Sequence, residues 1–123
     1  MSENNQSHLE QAEREIEISI EQAKEIVDRK NKMDELIANP AFNELFTVGY
    51  MEKESTRLVS LLSDAEWQDE TKQQSLIDDM RSISTLRQYI MNIRAIGRQM
   101  ERQIASSEAT LEELRNEEIE RGE

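Results

Sequence analysis

The chain has no cysteine, so it has no disulfide frame, no Cys-ligated zinc and no thiol nucleophile. Its single histidine, His8, removes most His-based metal sites and acid–base pairs. His8 also lacks a glutamate at the Glu-x-x-His offset that diiron bundles use. One proline and three glycines in 123 residues are too few for a multi-strand fold, which needs a turn about every 8–12 residues. No apolar run approaches the ~18 residues of a membrane span, and the start, Met-Ser-Glu-Asn-Asn-Gln, lacks the pattern of a signal peptide. No Gly-rich phosphate loop and no Ser–His–Asp set is present. The expectation is a chain with no catalytic residue, no cofactor and no metal, that is, not an enzyme.

What is abundant is charge and a seven-residue repeat. Leu9, Ile16, Ala23, Lys30 and Ile37 recur at heptad spacing, and Ala12, Ser19, Ile26 and Met33 fill the companion position three residues on. Ile20 and Val27 widen this seam, as in a helix packed on more than one neighbour. Ser7 and Glu10 fit a capping box, so the first long helix is predicted over 7–38. Asn39-Pro40 ends it, since proline disfavours helix at the preceding residue and suits the first turn of the next helix. Two short helices are predicted over 40–62. The first presents Phe42, Leu45 and Phe46, Gly49 is the break, and the second presents Met51, Leu58, Val59, Leu61 and Leu62. A loop follows at Ser63-Asp64, with Trp67 folding back as a plug.

The last segment, 69–120, is the most regular. Leu76, Ile83, Ile90, Gly97, Ile104 and Leu111 fall seven apart, with Asp79, Leu86, Ile93, Met100, Ser107 and Leu114 as companions. At ~1.5 Å per residue the two long helices would span about 48 and 75 Å, too long for a compact globule with a radius of gyration of ~14 Å. The predicted fold is all-α: a single helical domain, 1–123, in which a long antiparallel, coiled-coil-like helical hairpin carries two short helices packed at one end. Every aromatic lies between Phe42 and Tyr89, so the core belongs there, with Phe42, Phe46 and Trp67 against Leu76, Met80 and Ile83. Elsewhere Lys30, Ser19, Ser107 and Gly97 occupy core-type positions, which makes a weak seam. Little burial at about 25 cal/mol per Å² has to offset a large conformational entropy. Self-association or docking on a partner is therefore expected.

The net charge is −12, unevenly placed. Residues 71–105 hold six bases and three acids, while the stretches on both sides are acidic. Arg94, Arg98 and Arg102 are four apart and predict one basic stripe, with Arg87 near it. The candidate protein interface is therefore Arg87, Arg94, Arg98 and Arg102, together with Ile90, Met91, Ile93, Met100 and Ile104. Met91 lies off the seam and, with Tyr89 and Ile96, suggests a second apolar stripe for another chain. The ordinary reading of the arginines is ion pairing with glutamates of the first helix or of a second subunit. Direct nucleic-acid contact is opposed by the net charge, because that affinity comes mainly from neutralising phosphates. The glutamates at 13, 17 and 21, or at 108 and 112, stand about one helical turn apart, ~5–6 Å. That approximates phosphate spacing along a strand and opens the alternative of DNA mimicry toward a host nucleic-acid enzyme or defence protein. The ordinary reading of these residues is the solvated face of a long helix.

Asn39-Pro40-Ala41-Phe42, then Gly49-Tyr50-Met51, Arg57-Leu58-Val59 and Leu86-Arg87-Gln88-Tyr89 in a long polar helix, resemble a group of small acidic helical proteins of tailed bacteriophages. The similarity covers roughly residues 39 to 115. Members of that group tend to lie among virion-assembly genes, so the resemblance implies an assembly accessory: a scaffold, a chaperone or a minor head component. Together with the weak seam and the charge pattern, the expectation is a homo-oligomer that docks on a larger protein (a phage structural protein, or a host enzyme in the mimicry alternative), in the cytoplasm of an infected bacterium or in the virion, with no membrane and no direct nucleic-acid contact.

Overall fold

The computed structural model describes residues 2–122, with side chains from Ser7 onward. The protein is an all-α helical hairpin. Helix α1 (Ser2–Ala38) packs against α4 (Glu70–Gly122). Between them in sequence come α2 (Pro40–Phe42), a π-helical segment (Asn43–Glu54), α3 (Ser55–Leu62) and a 3₁₀ turn (Ala65–Trp67). No strand occurs among the described residues. Two expected boundaries move. Helix α1 already includes Ser2, so Ser7 sits inside it and caps nothing. Helix α4 runs on to Gly122.

The junction after α1 forms as its residues dictate. Asn39 takes an extended conformation (φ −67°, ψ 125°), and its Oδ1 accepts from the backbone N–H of Ala41 and Phe42 at 2.9 and 3.1 Å. This satisfies two of the donors that every helix start leaves free. The break expected at Gly49 is absent. Gly49 has no positive φ and lies within the π-helical segment. There its missing Cβ matters in another way: a Cβ would come within 2.9 Å of the Glu44 carbonyl oxygen five residues back.

Contacts divide the chain into two compact units. One holds α1 up to Asn31 and α4 from Ala95. Its helices run antiparallel, with Arg115 Nη2 donating to Glu17 Oε1 at 3.2 Å and Lys30 Nζ to Glu101 Oε1 at 2.6 Å. Among its described residues only Ile20, Ala23 and Leu111 are buried hydrophobic side chains. The apparent defects of the seam answer one another here. Lys30 lies over Gly97, where a methyl group would stand 2.5 Å from the Lys30 Cγ. The glycine makes room for the lysine stem, whose ammonium reaches out to Glu101. That is how long cationic side chains bury their methylenes and keep the charge wet.

The other unit spans Lys32 to Arg94 and holds the larger core. Met51, Leu58, Leu76, Ile83 and Ile90 are buried, with Met33, Ile37, Phe42, Tyr50, Trp67 and Met80 among the side chains packed around them. Leu58, Leu61 and Leu62 form the i, i+3, i+4 face of α3 that meets this core. After α3, Asp64 Oδ1 accepts from the Glu66 N–H at 2.8 Å and Asp69 Oδ1 from the Lys72 N–H at 2.8 Å. Gln73 Nε2 donates to the carbonyls of Trp67 and Leu62 at 2.6 and 3.2 Å, tying the turn to α4. Trp67 is half-buried, with Lys72 Nζ 5.7 Å from its ring centre.

Two side chains depart from the expected core. Phe46 stacks on Phe42 with ring centres 5.1 Å apart but is 45% exposed, and Leu45 is 64% exposed. The wider i→i+5 turn of the π-helical segment carries residues past the 3.6-residue period that the sequence reading assumes. Asp79 is exposed and Met80 takes its place, because the π-helical segment approaches α4 on the side of Met80 and Arg87.

Candidate protein interface

The expected interface residues separate into inward and outward sets. Ile90 belongs to the core, and Ile93, Met100 and Ile104 are half-buried along the seam. These four are therefore not a free surface. A heptad repeat marks the line along which a helix is covered, and here α4 spends it on its own chain.

The arginines form no single stripe. Arg94 Nε donates to Asp34 Oδ1 at 2.7 Å, and Arg87 Nη2 makes a long 3.5 Å contact with the Met51 carbonyl. Arg98 and Arg102 are exposed and have no ion pair or hydrogen bond among the described residues. The cause is geometric. Each step of four residues turns about 40° around a helix, so the row starts beside the seam at Arg94 and winds out to solvent by Arg102.

The exposed apolar residues are better placed than the arginines. Tyr89 is 54% exposed, Ile96 46% and Leu36 46%. Each directly precedes a seam residue: Ile90, Gly97 and Ile37. The Asp34–Arg94 pair joins residues that directly follow the seam residues Met33 and Ile93. In an antiparallel pair, residues following the seam share one side and residues preceding it share the other. Leu36 and Tyr89 therefore flank the seam on the side opposite Asp34–Arg94. Met91, though exposed, does not join them, because residues two apart point about 200° away from each other. Beside Tyr89 a shallow depression is lined by Arg81, Ser82, Thr85 and Leu86. The heptad pattern carried a signal for Leu36 that the sequence reading passed over: an apolar residue next to a core position, where a solvated helix has a charge.

The carboxylates at 13, 17 and 21 do not make a free row, whereas Glu108 and Glu112 are exposed. Glu17 is held by Arg115. The Oε1 atoms of Glu13 and Glu118 are shut off from solvent with no ordinary donor in reach. The hydrogen bond with Glu13, desolvation and the nearby charges of Glu13 and Glu10 push the Glu118 carboxyl up, against a smaller opposite pull from Arg115. An open depression in the same unit is walled by Glu17, Glu21, Glu25, Glu108 and Glu112 over Ile18 and Ile20. Among the described residues no group of three or more acids and histidines is arranged to hold a metal ion, and no helix is long and apolar enough to cross a membrane. Comparison with protein-family models, curated proteins and solved structures found no match.

Proposed function

We propose that the chain is a non-enzymatic protein-interaction module that works by self-association and docking on a larger protein, in the role of a phage virion-assembly accessory. The observation that carries this reading is exposed surface. The chain exposes 9280 Å², against roughly 6,800 Å² for a compact monomer of its mass. The surplus is well above the ~800 Å² that one partner contributes to a standard interface. Exposed Tyr89, Ile96 and Leu36, with Arg98 and Arg102 unpartnered among the described residues, support it further. The phage assignment rests on the resemblance of residues 39 to 115 alone. Of the carboxylates on which the mimicry alternative draws, Glu17 is paired with Arg115, while Glu21, Glu108 and Glu112 are exposed.

The test is fractionation of infected cells producing the tagged chain. Co-sedimentation with assembling particles, and cross-linking there to a structural protein, is the expected result. A chain absent from every particle fraction that instead binds a nucleic-acid enzyme in competition with DNA refutes the assembly role.

A further inference from the structure

We infer that Glu13 and Glu118 form a proton-operated latch at the open end of the hairpin: with one carboxyl of the pair protonated the last turns of α1 and α4 stay together, and with both ionised they part. Both residues belong to the same compact unit.

The heptad repeat puts an acid where it calls for an apolar side chain. Leu76, Ile83, Ile90, Gly97, Ile104 and Leu111 stand seven apart, and the next place in that series is Glu118. Glu118 is half-buried, as a seam residue is, and its Oε1 is shut off from solvent. Glu13 on α1 is likewise half-buried with a closed Oε1. The two meet across the seam within hydrogen-bond reach, one turn past the Glu17–Arg115 pair.

The charges around them do not answer them. Arg115 pulls toward ionisation but is paired with Glu17 at 3.2 Å. Arg121, about one turn beyond Glu118, is exposed and makes no ion pair among the described residues. Glu10, about one turn before Glu13, adds a third negative charge. Arg14 and Glu117, the chain neighbours, are exposed, and so is His8. A carboxylate taken out of water needs a donor or an opposite charge, and a facing carboxylate is neither. A proton from solvent supplies the donor. The Glu118 O–H then donates to the Glu13 carboxylate, leaving one negative charge on the pair. The rise of the Glu118 carboxyl above its ordinary 4.5, caused first by the hydrogen bond with Glu13, agrees with this.

The pair decides the end because little else holds it. The nearest buried apolar side chains, Ile20 and Leu111, lie about two turns further in. Beyond the pair, Leu9 and Ala12 are the half-buried side chains among the described residues, and Ile119 is 64% exposed. Helix ends open at low free energy. Ionising both acids therefore frees the last turns and bares Leu9 and Ala12. The middle of the unit, with Lys30 on Glu101 at 2.6 Å, stays closed.

The test uses pairs of cysteines, which the chain otherwise lacks, carrying spin labels for distance measurement. Gln11→Cys with Asn116→Cys reports on the end, and Gln22→Cys with Ser106→Cys on the middle of the same unit; all four positions are exposed. Between pH 4 and pH 8 the end pair should shift from a short, narrow distance to a longer, broad one, while the middle pair stays short. Glu118→Gln and Glu13→Gln should each abolish the shift and keep the end closed, because the amide donates where the protonated carboxyl did. Glu112→Gln and His8→Gln should leave the shift as in wild type. An end pair that does not move with pH overturns the inference. So does a shift that survives both Glu13→Gln and Glu118→Gln, a shift abolished by His8→Gln, or a middle pair that opens with the end.

Discussion

Replacing Gly97 by alanine tests how closely α1 and α4 approach. Two effects of known size oppose each other. Alanine is favoured over glycine in a helix interior by about 1 kcal/mol. Against that, the new methyl would overlap the Lys30 Cβ and stand 2.5 Å from its Cγ and 3.0 Å from its Cδ. Carbon atoms rest at about 3.5–4.0 Å, so something must yield by about 1 Å. Lys30 Cβ is fixed to the α1 backbone and cannot swing aside. The helices themselves must part, straining the 2.6 Å Lys30–Glu101 contact. Overpacking of this kind costs typically 1–3 kcal/mol, so Gly97→Ala should be net destabilising by about 0–2 kcal/mol. Lys30→Gly removes the obstructing atoms, and combining the two changes moves the glycine to the other helix. A double-mutant cycle by urea denaturation should give a favourable coupling of about 1–3 kcal/mol. If Gly97→Ala instead stabilises by the full helix-propensity gain, with no coupling to position 30, the close approach is wrong.

Other outcomes follow from burial, capping and titration. Leu58, 1% exposed, should cost about 2–5 kcal/mol on truncation to alanine, while the 45%-exposed Phe46 should cost clearly less; equal losses in thermal melts would contradict the core assignment. Asn39→Ala should lose about 1 kcal/mol in denaturant melts, and Asn39→Asp should retain most of it. Glu118 binds its proton more tightly folded than unfolded, so its favourable contribution is full below its ordinary 4.5 and is lost as pH rises through the raised value. Glu118→Gln should therefore raise the melting temperature near pH 7 and change little near pH 4, and a benefit that grows toward acid would refute the upward shift.

Much of the fold was readable because helices announce themselves locally. Every seam position of α1 from Leu9 to Ile37 is at least half-buried, and so is every seam position of α4 except Asp79. A heptad needs only its own helix to be seen. The Asn39-Pro40 junction was readable for the same reason, since a side-chain cap lies within three residues of the donors it serves. The π-helical segment was not. Its i→i+5 bonding has no counterpart in composition, and with no turn chemistry beyond Gly49 the residues from Asn43 to Glu54 read as ordinary helix.

The features that stayed hidden depend on the register between α1 and α4, which neither helix carries alone. Lys30 and Gly97 each read as a flaw in a hydrophobic seam, and only their apposition turns two flaws into a lysine stem seated on a glycine. Glu13 and Glu118 lie on different helices, and only their meeting pushes the Glu118 carboxyl up. The same distinction sorts the candidate interface. Periodicity alone assigned Ile90, Ile93, Met100 and Ile104 to an outside partner, but α4 already covers them with its own chain. What a helix leaves over after its own packing is displaced by one position, to Tyr89, Ile96 and Leu36, each the neighbour of a seam residue. In a hairpin that spends its heptads on itself, the surface open to a partner lies beside the repeat.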